Sequence, residues 1–462
     1  AAFLACKGAT THGLKFAQQA VTQGARAVLW EPAPDIQPPQ FNSQIFVAAV
    51  PDLGARAGEL ANRFFGEPSR QLQIAGITGT NGKTTTAVLL AQALQHCGRK
   101  TFYIGTLGSG FPGEIAAGTH TTPDAVSIQR ELAQARAQKA RCVSMEVSSH
   151  ALDQERIAAV QMNTAVFTNL TRDHLDYHGD MQRYGAAKEK LFERPDIAIC
   201  VVNVDDEFGA ELAQRCSTAG SRLIVVSRRT GVSIQGAEFL RAEDLRLHGD
   251  GVRFRLRSSW GEAEVSAPLL GEFNIENLCL VLAVLLGWNV PLQKAVDALR
   301  HCVAPPGRME VFGGNGEPLA VVDYAHTPDA LLKALSVLRA HCTGRLWCVF
   351  GCGGDRDRGK RSTMGRIADE LSDFIVLTDD NPRGESPAAI LNEISGGISV
   401  HRPVMIHDRA HAIAYALGNA RADDAVLIAG KGHENYQMSG VTRRSFSDQR
   451  EVRSALAARS AR

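Results

Sequence analysis

A glycine-rich turn between a strand-like run and a helix-like run limits what this chain can fold into more than any other stretch of it. The turn reads Gly76-Ile77-Thr78-Gly79-Thr80-Asn81-Gly82-Lys83-Thr84-Thr85-Thr86. Leu72 to Ala75 before it has the short apolar pattern of a buried strand, and Ala87 to Leu94 after it reads as a helix that Gly98 stops. Strand, turn, Lys-Thr and helix make a cradle for the phosphates of a nucleoside triphosphate. Backbone N–H groups and the positive helix end face the anion, Lys83 reaches the β and γ oxygens, and Thr84 offers a hydroxyl to Mg²⁺. The strict phosphate-loop spacing has glycine where this chain has Ile77, so its glycines are offset. An ordinary glycine turn would need neither the strand before nor the helix after.

The chain has 462 residues, and roughly 100–200 residues per domain predicts two to four domains. Three are read from the pattern: residues 1–67, 68–303 and 304–462. The first is a small α/β unit with strands at Ala1 to Cys6 and Ala27 to Trp30 and a helix at Leu14 to Gln23; it opens in mid-fold, so upstream residues are expected to be missing. The second alternates buried strands (Cys142 to Val147, Thr164 to Thr168, Ile197 to Val202, Leu223 to Val226) with helices, as parallel strands covered on both faces do. Gly251 to Leu256 and Glu264 to Ala267 alternate in the antiparallel manner, and helices follow at Ile275 to Leu286 and Leu292 to Cys302. The third resumes the α/β rhythm with strands at Leu319 to Val322, Leu346 to Phe350, Phe374 to Leu377, Val404 to Ile406 and Val426 to Ala429. The expected fold is therefore α/β in three domains: a truncated N-terminal α/β domain, a central, mostly parallel phosphate-loop domain of ATPase type, and a C-terminal doubly wound, Rossmann-like domain. Gly351-Cys352-Gly353-Gly354 follows a strand, but Arg356 takes the place of the last glycine of a dinucleotide turn, which argues against a nicotinamide cofactor.

A net charge of +1 with 21% charged residues and no long run of one sign gives no footprint for nucleic acid. The ten cysteines show no C-x-x-C pair, and several sit in apolar runs, so they read as reduced core residues of a cytoplasmic protein. The most apolar run, Leu278 to Trp288, falls short of the ~20 residues that a membrane span needs, so no membrane insertion is expected.

Glu146 closes the strand Cys142 to Val147. A carboxylate at the carboxyl end of a strand in a nucleotide-binding sheet is placed to hold Mg²⁺ beside Thr84. The surrounding Met145-Glu146-Val147-Ser148-Ser149-His150 and the later Asn169-Leu170-Thr171-Arg172-Asp173-His174-Leu175-Asp176-Tyr177-His178-Gly179 put many ionisable groups at successive strand ends, which predicts one polar crevice.

These segments resemble the Mur ligases of peptidoglycan synthesis. The resemblance extends through Tyr184 to Lys188, Gly271-Glu272-Phe273-Asn274-Ile275-Glu276-Asn277, Gly307-Arg308-Met309-Glu310 and Asp323-Tyr324-Ala325-His326-Thr327-Pro328, and so covers almost the whole chain. Asp380-Asn381-Pro382-Arg383 with Gly430-Lys431-Gly432-His433-Glu434 is similar to the branch that adds meso-diaminopimelate to UDP-N-acetylmuramoyl-L-alanyl-D-glutamate.

The resemblance implies ATP on Gly79, Thr80, Asn81, Gly82, Lys83, Thr84 and Thr85, with Asn277, Arg308 and Asp323 completing that site. It implies one Mg²⁺ on Thr84 and Glu146 and a second on Glu146, His174 and a carbamylated Lys188. Ala9, Thr10, Thr11, His120, Thr121, Thr122, Ser148, Gln154 and Arg156 match positions that hold the UDP-muramoyl dipeptide, with His120 in place of an expected Asn. Arg356, Asp380, Asn381, Pro382, Arg383, Gly430 and Glu434 match those that hold the incoming amino acid. Lys83, Glu146, His174 and Lys188 are the expected catalytic set. The implied activity is ATP-dependent amide formation through an acyl phosphate, by a monomer whose three domains close on ATP, nucleotide sugar and amino acid. A lysine-adding ligase and a folylpolyglutamate synthetase are the enzymatic alternatives, and a nucleotide-gated binding protein is the alternative of another class.

Overall fold

The computed structural model describes residues 1–8, 11–37, 39–218, 220–232, 234–249, 251–314 and 316–460; the expected site positions Ala9 and Thr10 lie outside the described residues. The chain forms two compact units that interleave along the sequence. One comprises Ala1–Thr78, Lys100–Ala165 and His174–Ile197, the other Gly79–Arg99, Val166–Asp173 and Ala198–Arg462.

The first unit opens with three parallel strands, Ala2–Ala5, Ala27–Trp30 and Phe46–Ala49. Val28 and Trp30 alternate inward, as the period of two requires. A second set of strands in this unit runs in the order Gln73–Thr78, Cys142–Glu146, Thr101–Gly105, Gly108–Phe111, Glu114–Ala116. The first three are parallel and the last two antiparallel. Every residue of Cys142–Glu146 and Thr101–Gly105 is buried, the signature of strands covered on both faces. Register pairs Ile77 with Glu146. The strand predicted to end at Ala75 in fact continues to Thr78, because Ile77 and Thr78 are β-branched and buried.

In the second unit, one sheet carries the order Gly261–Ala267, Gly251–Ser258, Glu238–His248, Arg222–Ser227, Ile199–Asn203. The eleven-residue strand Glu238–His248 has no counterpart in the sequence reading. Its alternation is broken by a register shift between Glu243 and Arg246, and its outward face is charged. The helix Phe273–Gly287 is apolar almost all round and nearly every residue of it is buried, so it is a core helix. Among the described residues no helix is long and apolar enough to cross a membrane.

The other sheet of this unit has the order Glu310–Gly314, Glu317–Asp323, Ala425–Ala429, Leu346–Phe350, Phe374–Leu377, Val404–Met405, antiparallel only at its first pair. Leu346, Cys348 and Phe350 enter one apolar cluster while Trp347 and Val349 enter another, so both faces are covered, as in a doubly wound sheet. A crevice beyond the carboxyl ends of such strands is the usual ligand position. Here those ends carry Asp323, Gly351 to Gly354, Thr378 to Arg383 and Gly430 to Glu434. One of them is fixed by a fully buried ion pair: Arg409 Nε and Nη2 lie 2.7 Å from the two Asp448 carboxylate oxygens, and Nη2 also donates to the Ala429 carbonyl at 2.9 Å.

Candidate active site

The phosphate loop takes its shape from two residues without a Cβ. Gly79 has φ +145°, and a Cβ there would sit 1.9 Å from Thr168 Oγ1; at Gly82, φ +83°, it would sit 2.6 Å from Asn277 Oδ1. The glycine requirement thus falls at 79 and 82, and Ile77 is a strand residue. Around these contacts the loop is laced to the segment after the strand Thr164–Phe167. Thr80 N donates to Asn169 O (2.8 Å), Asn81 N to Asn169 Oδ1 (2.9 Å), Thr168 Oγ1 to Asn81 O (2.6 Å) and Thr171 N to Thr80 Oγ1 (3.0 Å). Lys83 Nζ donates to the carbonyls of Gly79 (3.0 Å) and Thr80 (2.9 Å), which folds its ammonium back over the loop. The helix Lys83–His96 begins after Gly82 with no side-chain cap, so the partial positive charge of its first turn faces the loop. Thr84 is buried and Thr85 half-buried.

Asn277 joins this site through Thr86, whose hydroxyl donates to Asn277 Oδ1 at 3.1 Å, while Asn277 Nδ2 donates to Asn274 Oδ1 at 3.0 Å. Arg308 stacks its guanidinium over the Tyr324 ring at 5.2 Å, and its buried Nε has no hydrogen-bond partner among the described residues. Asp323 ends its strand with Oδ2 accepting from Met309 N and Oδ1 from Ala325 N. Burial pushes its carboxyl up from the usual range, and those backbone donors and Arg308 oppose the shift.

The other unit holds a second group of expected residues. Glu146 is fully buried; its Oε1 accepts from Tyr103 OH (2.5 Å) and Thr106 N (2.9 Å), and its Oε2 from Thr106 Oγ1 (3.0 Å). Thr106 Oγ1, its one proton given to Glu146, lies 3.1 Å from Thr121 Oγ1 and can accept from that hydroxyl. Thr122 donates to the Glu146 carbonyl (2.9 Å) and accepts from Ser148 N (3.0 Å), and Arg156 Nη1 donates to the Thr122 carbonyl (2.8 Å) while its Nε holds Gln154 Oε1 (3.0 Å). Thr121, Thr122, Glu146, Ser148, Gln154 and Arg156 are therefore one connected network. His120 is exposed beside Thr119, its Nδ1 2.9 Å from Thr119 Oγ1, and Thr11 is exposed on its own loop.

His174, exposed and left-handed at φ 53°, meets the ring of His150 edge-on at 4.9 Å, and His150 in turn lies near Tyr177 and His178. Burial, with His174 and His178 adding to it, lowers the His150 imidazole below its ordinary value. Lys188 is buried with its Nζ 4.3 Å over the Tyr184 ring. Tyr103 and Thr106 were missed by the sequence reading, and Tyr184 was quoted there without a role; the β-rich run Thr101-Phe102-Tyr103-Ile104 was the signal that could have found Tyr103.

At the end of the doubly wound sheet, Gly353 is flanked by two arginines: a Cβ there would lie 2.8 Å from Arg383 Nη1 and 3.8 Å from Arg356 Cγ. Arg383 is left-handed (φ 52°) and clamped by backbone bonds to Met438 and Gly440, with Nη1 donating to Gly354 O at 2.8 Å. Glu385, the one acid next to it in sequence, belongs to Arg361 instead, at 2.9 Å to each of its oxygens, and that pair with the Asp355 N–H holds its carboxyl down at about 2. Asn381 Nδ2 donates to Glu434 Oε2 (3.0 Å), and Lys431, fully buried, donates to Asn381 Oδ1 (3.1 Å) and Glu434 Oε2 (3.2 Å), 3.9 Å from Asp380. A Cβ at Gly430 would meet Asp380 Oδ2 at 2.7 Å. Arg356, Asp380 to Arg383, Gly430 and Glu434 thus gather at one strand-end crevice, with Lys431 as a member that the sequence reading quoted but assigned no role. Among the described residues no three His, Cys, Asp or Glu side chains form a metal-ligating group.

The fold is that of an α/β protein with a glycine-shaped phosphate loop after one strand and a charge-lined crevice at the strand ends of its doubly wound sheet. Comparison with known proteins narrows the class. Residues 1–64 match the family described as "Mur ligase family, catalytic domain", 77–285 "Mur ligase middle domain" and 307–432 "Mur ligase, glutamate ligase domain". The chain is 48% identical over 462 residues to the UDP-N-acetylmuramoyl-L-alanyl-D-glutamate–2,6-diaminopimelate ligase of Alkalilimnicola ehrlichii, covering 98% of this chain and 91% of that one. It is 45% identical over 457 residues to the enzyme of the same name from Pseudomonas aeruginosa, covering 99% and 92%. A solved structure of a ligase of that name aligns with TM-score 0.75 at 37% identity over 99% of this chain and 92% of that chain. The Thermotoga maritima MurF ligase in complex with ADP shares the fold, with TM-score 0.66 at 17% identity over 99% of this chain and 94% of that chain. The chain belongs to the Mur ligase family.

Substituting Gly79→Ala should break the loop, since the added methyl overlaps Thr168 Oγ1 in a backbone region that alanine avoids. The expected result is a stability loss of about 1–3 kcal/mol in urea unfolding and loss of ADP binding in a calorimetric titration. Unchanged stability with unchanged ADP affinity would contradict the loop geometry described above.

Proposed function

We propose that the chain is an ATP-dependent ligase that joins an amine of meso-diaminopimelate to the D-glutamyl γ-carboxylate of UDP-N-acetylmuramoyl-L-alanyl-D-glutamate, a step of peptidoglycan precursor synthesis. The observation that carries the choice of amine is the pairing of Arg356 and Arg383 at Gly353 beside Asp380 and Glu434. That set offers guanidinium forks to carboxylates and carboxylates to ammonium groups, which suits an amino acid charged at both ends. Relatives at 44–48% identity bear the name of this enzyme.

A carboxylate is a poor acyl donor. The γ-phosphoryl group therefore moves from ATP to a γ-carboxylate oxygen, giving ADP and an acyl phosphate. The unprotonated amine then adds to the carbonyl carbon, and inorganic phosphate leaves as the amide forms with loss of the amine proton. Lys83 and the N-terminus of its helix oppose the charge of the transferring phosphoryl oxygens, and Asn277, Arg308 and Asp323 complete the nucleotide site. Thr11, Thr121, Thr122, Ser148, Gln154 and Arg156 are assigned to the UDP-muramoyl dipeptide, with His120 beside them. We take residues 1–67, 68–303 and 304–462 as the nucleotide-sugar, ATP and amino-acid domains of a cytoplasmic monomer.

Mg²⁺ would be held by Thr84, Glu146, His174 and Lys188, and when bound it would neutralise phosphate charge. The Thr84 hydroxyl and the Glu146 carboxylate are oxygen donors of the kind that this hard cation takes. The ammonium of Lys188 is not; Lys188 becomes such a donor only if it loses a proton to give the free amine and then adds CO₂ with loss of a second proton, giving a carbamate. Active enzyme in ¹³C-bicarbonate should then show a carbamate resonance that Lys188→Ala lacks. Full activity without that resonance would remove the carbamate.

Arg383 is assigned to the distal carboxylate, which meso-diaminopimelate has and lysine lacks. A site left with an unpaired polar partner rejects the deficient ligand by roughly 10⁴–10⁵ in kcat/KM, and a bidentate fork gives that contact direction. The wild type should prefer meso-diaminopimelate by such a factor, and Arg383→Ala should collapse the ratio mainly by losing the preferred substrate. Equal use of lysine by the wild type, or an unaltered ratio in the variant, would move the discrimination elsewhere.

A further inference from the structure

His341 is a buried histidine that the chemistry above does not use. It is the last residue of the helix Pro328–His341, which begins directly after Asp323-Tyr324-Ala325-His326-Thr327. Both ring nitrogens are engaged. Nδ1 lies 2.5 Å from the His248 carbonyl, which only accepts, so Nδ1 carries the proton. Nε2 lies 2.9 Å from the Gly271 N–H, which only donates, so Nε2 must be unprotonated. The hydrogen-bond pattern therefore requires the neutral imidazole. Burial lowers its pKa in agreement with that, the His248 carbonyl opposing the shift and the His248 ring adding to it.

Gly271 is a turn with φ +90°, and a Cβ there would meet the Phe273 ring at 2.7 Å and Val337 Cγ1 at 3.0 Å, so the same helix that supplies His341 also packs on the turn. From the turn the connection runs to the nucleotide loop. Asn274 N donates to Gly271 O (3.0 Å) and Asn274 Nδ2 to Leu270 O (2.7 Å), Asn274 Oδ1 accepts from Asn277, and Asn277 Oδ1 accepts from Thr86 while standing against Gly82.

We infer that His341 is a positioning residue for the nucleotide: its unprotonated Nε2 holds the Gly271 turn, and through Asn274 that turn sets Asn277 against the phosphate loop. The inference rests on the reading of Gly79 to Thr85 and Asn277 as the ATP site. Nucleotide binding and the neutral state of His341 are then linked, so each favours the other. His248 on the neighbouring strand lies against the ring, and Glu310, Glu317, Asp423, Asp424 and Arg453 line the same cavity of about 760 Å³ as His341.

The test uses the full chain with ADP as the probe. His341→Asn keeps a donor near the His248 carbonyl but loses the acceptor for Gly271, and its ADP Kd should rise about tenfold. His341→Gln, which can bring Oε1 to the Nε2 position, should recover most of that loss. Equal ADP affinity in wild type and Asn variant would overturn the inference. Because the Asn variant could fail to fold, the wild type is also titrated by NMR of its His341 imidazole, assigned with the Gln variant. ADP should lower the His341 pKa, and an identical titration with and without ADP overturns the inference even if both variants lose stability. A wild type that binds no ADP would instead remove the ATP-site reading on which the inference depends.

Discussion

The phosphate loop closes only because two of its positions carry no side chain. Thr168 Oγ1 stands where a Cβ of residue 79 would be, and Asn277 Oδ1 where one of residue 82 would press. Both neighbours have work at those distances: the Thr168 hydroxyl holds the Asn81 carbonyl, and Asn277 holds the Thr86 hydroxyl. The loop's shape is thus held by contacts within the protein. Lys83 Nζ is tied to two loop carbonyls, which holds its charge over the loop.

A similar economy governs the strand-end crevice of the doubly wound sheet. The role proposed for Arg383 requires that no internal acid neutralise it. Glu385 lies two residues away, yet its carboxylate is occupied by Arg361, and a depressed carboxyl pKa means that this pairing is complete above the ordinary carboxylate range and lost only as pH falls toward about 2. At neutral pH the competing acid is therefore spoken for. Lys431 plays the complementary part among Asn381, Asp380 and Glu434, where clustered acceptors without a cation would repel one another. The buried Arg409–Asp448 pair fixes the carbonyl just ahead of Gly430, and removing one member of such a pair leaves an uncompensated charge.

Much of this was legible in the sequence where burial on both faces forces apolar runs. Ala27–Trp30, Leu346–Phe350 and Phe374–Leu377 have the expected limits. Glu238–His248 was not legible, because a bulge and a charged outer face erase the alternation, and neither was the hairpin Tyr436–Ser439 and Thr442–Ser445, which clamps Arg383 yet is largely exposed and carries no apolar pattern. The candidate site divides the same way. Residues in glycine-punctuated turns announce themselves, since the turn chemistry restricts them. Tyr103, Thr106 and His341 have partners far away in sequence, which only the folded chain brings within reach.

The most direct test of the central claim, that the loop and the two-arginine crevice serve one ligation, is coupled product analysis. Purified chain would be supplied with ATP, Mg²⁺, UDP-N-acetylmuramoyl-L-alanyl-D-glutamate and meso-diaminopimelate, with each component omitted in turn. The expected result is stoichiometric ADP, phosphate and a product whose mass equals the dipeptide substrate plus diaminopimelate less one water, with sustained turnover only when all substrates are present. Sustained ADP release that ignores the amine, or binding of ATP without any amide product, would contradict it.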